Sequence, residues 1–419
     1  MRPLLKFLHT SDWHLGRRLY GKPRDDESAA FLDWLVATID EQGIDVLLVA
    51  GDIFDTTTPS NRAQELYYRF LARMAASGCR HVVIIAGNHD SPSFLEAPAG
   101  LLSALDIHVV GAVPPTPQEA VLVLKNSSGG AELIVCAVPY LRDRDVRTAQ
   151  AGESIEDKAL ALRRGMAAYY AAVTEAAEHV QHELGGGVPI VAMGHLFAAG
   201  GQTLDGDGVR DLYVGSLAHV GAHIFPDFID YVALGHLHVP QKVAGHEHVR
   251  YSGSPMPMGF GEAGQEKSVC VVQMLSDQPE QQTTQVDITL MPIPPFRHME
   301  QIEGDWPTIV ERLGQLAQNN VPSWVEVIYT GDAIVGDLRD QVAALVVDTP
   351  IDVLRIKDSR VTERVLRGVH EEERLDELTV EDVFDRCLET HDVPEGQHDD
   401  LKAAYREVLQ TIHEADSQA

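Results

Sequence analysis

Five runs of apolar β-formers stand out along the first two-thirds of the chain: Leu4 to Leu8, Val46 to Ala50, Val82 to Ala86, Pro189 to Met193 and Tyr231 to Leu234. Only Lys6 interrupts them, so they read as buried strands. Between the first three lie two stretches with helical spacing. Glu27 to Glu41 places Phe31, Leu35 and Ile39 on one face, and Arg62 to Ser77 follows the second run. Strand, helix, strand, helix, strand is the α/β signature. From Val109 to Pro139 the pattern changes to short strands and turns. A long alanine-rich helix is expected from Ser154, with Asp157 completing a capping box, to Leu184, where three glycines stop it. The glycine-rich stretch Ala198 to Gly208 reads as a mobile loop, and Arg250 to Gly253 and Val269 to Met274 as further strands.

The proline-rich joint Met291-Pro292-Ile293-Pro294-Pro295 predicts a domain boundary. Beyond it, Asp305 can cap a helix with Pro307 in its first turn, burying Trp306, Ile309, Val310, Leu313 and Leu316. A strand from Trp324 to Tyr329, a helix through Ile334, Leu338, Val342, Leu345 and Val346, and a strand from Ile351 to Ile356 complete a small α+β unit. The remainder is helical: Thr379 and Asp382 form another capping box, and Leu401, Ala404, Tyr405, Val408, Leu409 and Ile412 make one apolar stripe. That stripe suits packing on its own chain or docking on a partner helix. The expected domains are 1–290, 291–360 and 361–419.

Composition narrows the class. The 419 residues are 44% hydrophobic and 23% charged, ordinary for a soluble globular chain of two or three domains. No apolar run reaches the ~20 residues that cross a bilayer. Lys6, His9 and Asp12 break any secretory h-region. Cys79, Cys136, Cys270 and Cys387 lie far apart with no C-x-x-C pair, which fits reduced thiols in a cytoplasmic protein. The net charge of -30 argues against a nucleic-acid binder. However, residues 371–400 alone carry thirteen Asp and Glu against two Arg, and bound cations would neutralise further carboxylates.

The candidate chemistry sits where the strands end. The five runs lead into Asp12 and His14, Asp52, Asn88 with His89 and Asp90, His195, and His236 with His238, with a glycine before the ligand in four of the five. Gly87 is expected to let the backbone turn sharply after the third run. Open α/β sheets place ligands at the carboxyl ends of their strands. The donors are nitrogen and oxygen without thiolate, which suits Mn²⁺, Fe or Zn. Seven ligands exceed one ion and match two, with Asp52, in the middle of the set, as the natural bridge. Two ions roughly 3.5–4 Å apart polarise a phosphoryl oxygen and activate water, the chemistry of phosphoester hydrolysis. His89 is expected as the general acid or transition-state stabiliser and Asp90, beside it, as its orienter. The loop at Arg17, Arg18, Lys22 and Arg24 reads as a solvated loop or as a contact to a phosphate backbone.

Asp12-x-His14, Gly51-Asp52, Gly87-Asn88-His89-Asp90, Gly194-His195 and Gly235-His236-x-His238 resemble the five blocks of the calcineurin-like metallophosphoesterases. That resemblance implies a four-layer αββα sandwich of two mixed sheets. Leu8-His9-Thr10-Ser11-Asp12-Trp13-His14-Leu15-Gly16, Phe31-Leu32-Asp33-Trp34-Leu35, Val49-Ala50-Gly51-Asp52, Ala86-Gly87-Asn88-His89-Asp90-Ser91 and Tyr251-Ser252-Gly253-Ser254-Pro255 narrow it further. They are similar to the DNA nuclease subunits that work with a bacterial ABC-type ATPase in repair and recombination. The resemblance implies two Mn²⁺ ions, with Mg²⁺, Fe and Zn as alternatives. It implies 3′→5′ exonuclease action on double-stranded ends, and endonuclease action on hairpins and single strands. It also implies a homodimer, a DNA-positioning capping module after Pro292 and an ATPase-binding tail. The rivals are a phosphodiesterase for small molecules or nucleotides with the same metal core, and a non-catalytic scaffold for an ATPase.

Overall fold

A computed structural model of the chain describes residues 2–148, 153–198, 220–276, 284–331, 335, 337–359, 401, 402 and 405. The chain divides into two compact units, Met1–Met299 and Glu300–Ala419.

In the first unit, β1 (Arg2–Thr10) leads to a two-stranded hairpin, β2 (Arg18–Leu19) and β3 (Lys22–Pro23). Then come α1 (Asp25–Gln42), β4 (Val46–Ala50), α2 (Asn61–Ala75) and β5 (His81–Ile85). Short helices α3 (Pro92–Glu96) and α4 (Ala99–Ser103) precede β6 (Ile107–Val110), β7 (Val121–Lys125) and β8 (Ala131–Ala137). After α5 (Asp143–Val146) come the long α6 (Ile155–Glu183), β9 (Ile190–His195) and β10 (Tyr231–Gly235). The unit closes with β11 (Gln241–Val243), β12 (His246–Tyr251), β13 (Ser268–Ser276) and β14 (Thr284–Pro292).

These strands form two six-stranded mixed sheets, ordered β14-β13-β1-β4-β5-β6 and β11-β12-β10-β9-β8-β7. Strand side chains alternate between faces, and here both faces are covered. In β4, Val46, Leu48 and Ala50 face the opposite sheet, together with Tyr231 and Ala233 of β10. Leu47 and Val49 turn the other way, to Phe31 and Leu35 of α1 and Phe70 of α2. In β9, Val191 and Met193 join the core between the sheets, and Ile190 and Ala192 pack with Tyr170 and Val173 of α6. The result is the expected α-β-β-α layering, and the near-continuous apolar character of the strands follows from their double burial.

The α6 capping box forms as expected: Ser154 accepts from the Asp157 amide, and Asp157 accepts from the Ser154 amide. The expected joint is different. Met291 and Pro292 end β14, paired with Val269 and Ser268 of β13, and Ile293 and Phe296 pack on the core of the first unit. Among the described cysteines, Cys79, Cys136 and Cys270 are free and buried, and Cys387 lies outside the described residues.

The second unit has a three-stranded sheet, β15 (His298–Gly304), β16 (Ser323–Tyr329) and β17 (Ile351–Asp358), in that order. It also holds α7 (Trp306–Asn319) and α8 (Leu338–Val346). Asp305 caps α7 by accepting from the Thr308 amide, with Pro307 in the first turn. Ile309, Leu313 and Leu316 pack on Val325 and Val327. The expected tail over 361–419, with its capping box and apolar stripe, lies almost entirely outside the described residues, as does the loop from residue 199. Among the described residues no helix is long and apolar enough to cross a membrane.

Candidate metal centre

The carboxyl ends of β1, β4, β5, β9 and β10 come together, and each delivers its polar residues to one place. The loops after β1 and β4 are laced by their backbones: the Asp12 amide donates to the Gly51 carbonyl at 2.9 Å, and the His14 amide to the Asp52 carbonyl at 3.0 Å. Four of the seven candidate ligands occupy the left-handed region, Asp12 at φ 55, His14 at φ 45, Asp52 at φ 51 and His236 at φ 104. Such backbone costs about 1–3 kcal/mol per residue and persists only where the surroundings enforce it. Here it aims consecutive side chains inward. Two glycines have a steric task. Gly51 has φ 88. Gly87 is not in the left-handed region; a Cβ there would lie 2.7 Å from Asp52 Cγ. Its role is therefore close approach rather than the sharp turn expected at that position.

All seven candidate ligands converge. Asp12, His14 and His238 present donor atoms within 4.8 Å of one another, as do Asp12, Asp52 and His195, and His14, Asp52 and His89. Asp52 Oδ2 stands between two imidazoles, 3.6 Å from His14 Nε2 and 3.3 Å from His195 Nε2. Asn88 Oδ1 lies 3.0 Å from both His195 Nε2 and His236 Nδ1. The His195 tautomer can be read off. Its Nδ1 donates to the Ala50 carbonyl at 2.9 Å, so the neutral ring turns the Nε2 lone pair on the oxygens of Asn88 and Asp52. Both ring nitrogens of buried His14 lack a hydrogen-bond partner. With the neutral His195 ring, the Nε2 lone pair faces oxygen lone pairs, so the spot calls for a cation, a proton on His195 in the metal-free chain or a metal ion in its place, and the donor set fits metal ions.

The electrostatics agree. Burial raises the Asp12 carboxyl, more than the nearby His195 lowers it. Burial opposes charge on His195, yet the Asp52 and Asp12 carboxylates raise its pKa to about 9. Burial drops His14 to about 4, against the pull of Asp55 and Asp52. It also drops His236 to about 3, with His195 adding repulsion. The metal-free cluster thus concentrates its proton on His195 and keeps His14 and His236 ready to coordinate.

Two expectations about side-chain roles change. Asp90 does not orient His89. Its buried carboxylate accepts from the amides of Gly87 at 2.8 Å, Ile53 at 3.1 Å and Phe54 at 2.9 Å, and so ties the β5 loop to the β4 loop. The His89 ring is held instead by the Asp55 carbonyl, 2.8 Å from Nδ1. Sequence adjacency suggested the pair, but successive residues in this turn point apart. The basic loop is also partly used up. Arg24 is buried, bonded to Glu27 at 2.6 Å and to the Pro257 carbonyl, and is out of reach of a phosphate. Arg17 donates to Asp55 at 3.0 Å and to the Met258 carbonyl at 3.3 Å. Arg18 and Lys22 remain exposed on the β2–β3 hairpin.

Several supporting residues escaped the sequence reading. Asp55 Oδ1 lies 3.2 Å from His14 Nδ1, and the only hint was its place three residues after Asp52. Ser11 donates to Asp12 at 2.6 Å. Buried Glu262 faces His238 Nδ1 at 3.7 Å and pairs with buried Lys267. Carboxylates behind imidazoles set ring orientation and basicity in metal sites. Nothing local marks Glu262, which comes from a short turn 24 residues downstream of His238.

Fold and centre together define the class: residues 5–240 match the calcineurin-like phosphoesterase family model. Residues 295–392 match the model described as type 5 capsule protein repressor C-terminal domain. The chain is 35% identical over 416 residues to the SbcD component of the SbcCD nuclease of Escherichia coli (strain K12), covering 98% of this chain and 100% of that protein. The corresponding proteins of Rhodobacter capsulatus and Bacillus subtilis are 36% and 35% identical, each covering 64% of this chain and 66% of the relative. The chain belongs to the SbcD family.

Proposed function

We propose that this chain is a two-metal DNA nuclease. The observation that carries the reading is the meeting of Asn88 Oδ1, Asp52 Oδ2 and ring nitrogens of His195 and His236 at the strand ends. In this reading Asp12, His14 and His238 would hold one ion and Asn88, His195 and His236 the other, with Asp52 available to both. Mn²⁺ is the proposed metal, with Mg²⁺, Fe and Zn as alternatives for the same donors. Bound there, two divalent ions polarise a phosphoryl oxygen and lower the pKa of a water. The protein supplies the rest. His89 Nδ1–H is committed to the Asp55 carbonyl, so the proton given to the leaving oxygen would be the Nε2–H of the imidazolium form, which returns to the neutral Nδ1–H ring on donation. Asp90, through three backbone amides, keeps the Asp52 and Asn88 loops in register. Asp55 and Glu262 orient His14 and His238.

Family membership supports a polymeric substrate: 3′→5′ exonuclease action at double-stranded ends and endonuclease action on hairpins and single strands. We assign the second unit, from Glu300 to about residue 360, to a capping domain, 361–419 to docking on an SbcC-type ATPase, and the active form to a homodimer. Arg18 and Lys22 are the proposed phosphate contacts beside the centre. The test is end-labelled hairpin DNA, with Mn²⁺ or Mg²⁺ and with or without the ATPase. Cleavage that requires Mn²⁺ is expected. Hydrolysis of a small chromogenic diester without any DNA cleavage would support a small-molecule phosphodiesterase instead.

A further inference from the structure

At the other end of the first sheet, the amino ends of β5 and β6 hold a second group of ligand-type side chains: His81, Asp106 and His108. One donor atom from each lies within 4.8 Å of the others. Val83 pairs with His108, and both neighbouring histidines face the second sheet, their rings 6.0 Å apart. Along β5 this is roughly 20 Å from the strand-end centre.

The chemistry of His81 is the telling feature. It is buried, with only 7% of its surface exposed. Its Nε2 lies 2.8 Å from the carbonyl oxygen of Lys125 on β7. A carbonyl only accepts, so Nε2 carries the hydrogen and Nδ1 of the neutral ring keeps a bare lone pair. That Nδ1 has no hydrogen-bond partner and sits 3.9 Å from Asp106 Oδ1. A backbone carbonyl on one imidazole nitrogen with the other left bare is the arrangement found behind metal-bound histidines. Asp106 is fixed beside it: its residue adopts φ 55 and its carbonyl accepts from the Val82 amide at 3.0 Å. Burial holds His108 below the usual histidine range, which favours a neutral ring with a nitrogen free to coordinate.

We propose that His81, Asp106 and His108 form a further transition-metal site, separate from the strand-end centre, of the kind that takes Zn²⁺. Two imidazoles and one carboxylate are a three-ligand zinc set whose fourth position is open to water. Ligand atoms around tetrahedral zinc lie about 3.3 Å apart. Closing from the present spacing needs a rotation of Asp106, whose side chain is 66% exposed and unconstrained by packing. The bound ion would join the turn before β6 to β5, and through His81 to β7 of the second sheet.

The test compares the full chain with the Asp106→Asn/His108→Gln double variant, neither residue being part of the strand-end centre. Both are dialysed against buffered micromolar Zn²⁺ and assayed for bound zinc. The parent is expected to hold one more Zn²⁺ per chain, with equal Mn²⁺-dependent activity in the two proteins. Equal zinc content would overturn the proposal and leave His81 and Asp106 as an ion pair. A second measurement uses the parent alone. Zn²⁺ should slow diethyl pyrocarbonate modification of His108, because the coordinated nitrogen is no longer a free nucleophile, and an unchanged rate would equally overturn the site.

Discussion

Replacing Gly87 by alanine puts one methyl group into the tightest point of the centre. The new Cβ would meet Asp52 Cγ at 2.7 Å and its Oδ1 and amide nitrogen closer still, whereas ordinary contact begins at 3.4 Å. Asp52 must therefore retreat by at least 3.4 − 2.7 = 0.7 Å. It has no slack: Oδ1 accepts from the His89 amide at 2.8 Å, and Oδ2 faces His14 and His195. Overpacking of this kind costs about 1–3 kcal/mol, a few degrees in melting temperature for a unit of this size. The larger effect is on function, because a shift near 1 Å in reacting groups costs about 10²-fold in rate. The expected protein is folded, slightly less stable, weaker in Mn²⁺ binding and about a hundredfold slower on DNA. Gly78→Ala is the control, since a Cβ there meets nothing within 4 Å. Mn²⁺ stoichiometry, melting temperature and nuclease rate are read on all three proteins. Full metal content and a parental rate in Gly87→Ala would refute the claim that Asp52 holds the centre together.

His89→Ala should retain both metals yet lose about 10²–10⁴-fold in turnover; metal loss in the variant would make His89 a ligand rather than an acid. Metal binding should also depend on pH. His195 of the metal-free chain is protonated below about 9, and that proton must leave before Nε2 can coordinate. The apparent Mn²⁺ affinity should thus rise about tenfold per pH unit from 7 and level off near 9, and a flat calorimetric profile would contradict this. Glu262→Gln leaves buried Lys267 without its counter-charge and should cost about 3–5 kcal/mol in urea unfolding. The Glu262→Leu/Lys267→Met pair should recover much of that loss, and a smaller effect in the single variant than in the pair would show that the ion pair is not the source.

Much of the molecule is legible in local sequence because its strands are buried on both faces and so read as unbroken apolar runs. The Ser154–Asp157 box, the Asp305 cap and the polar residues after each strand are short-range signals of the same kind. The edge strand β14 and strand β15 carry no such mark: their alternate residues face solvent, and their identity depends on pairing with β13 and β16.

Which side chain answers to which was decided only by the tertiary structure. Asp90 stands next to His89 in the chain but reaches three backbone amides, while the Asp55 carbonyl, 34 residues away, holds the ring. Arg24 reads as a surface cation and is buried against Glu27 and Pro257. Glu262 and the His81–Asp106–His108 group exist only as meetings of distant segments. Amino-acid order determined the strands and the kinds of ligand at their ends, since backbone geometry responds to near neighbours. Partner choice, protonation and burial depend on what folding brings within a few ångströms, and no local pattern encodes that.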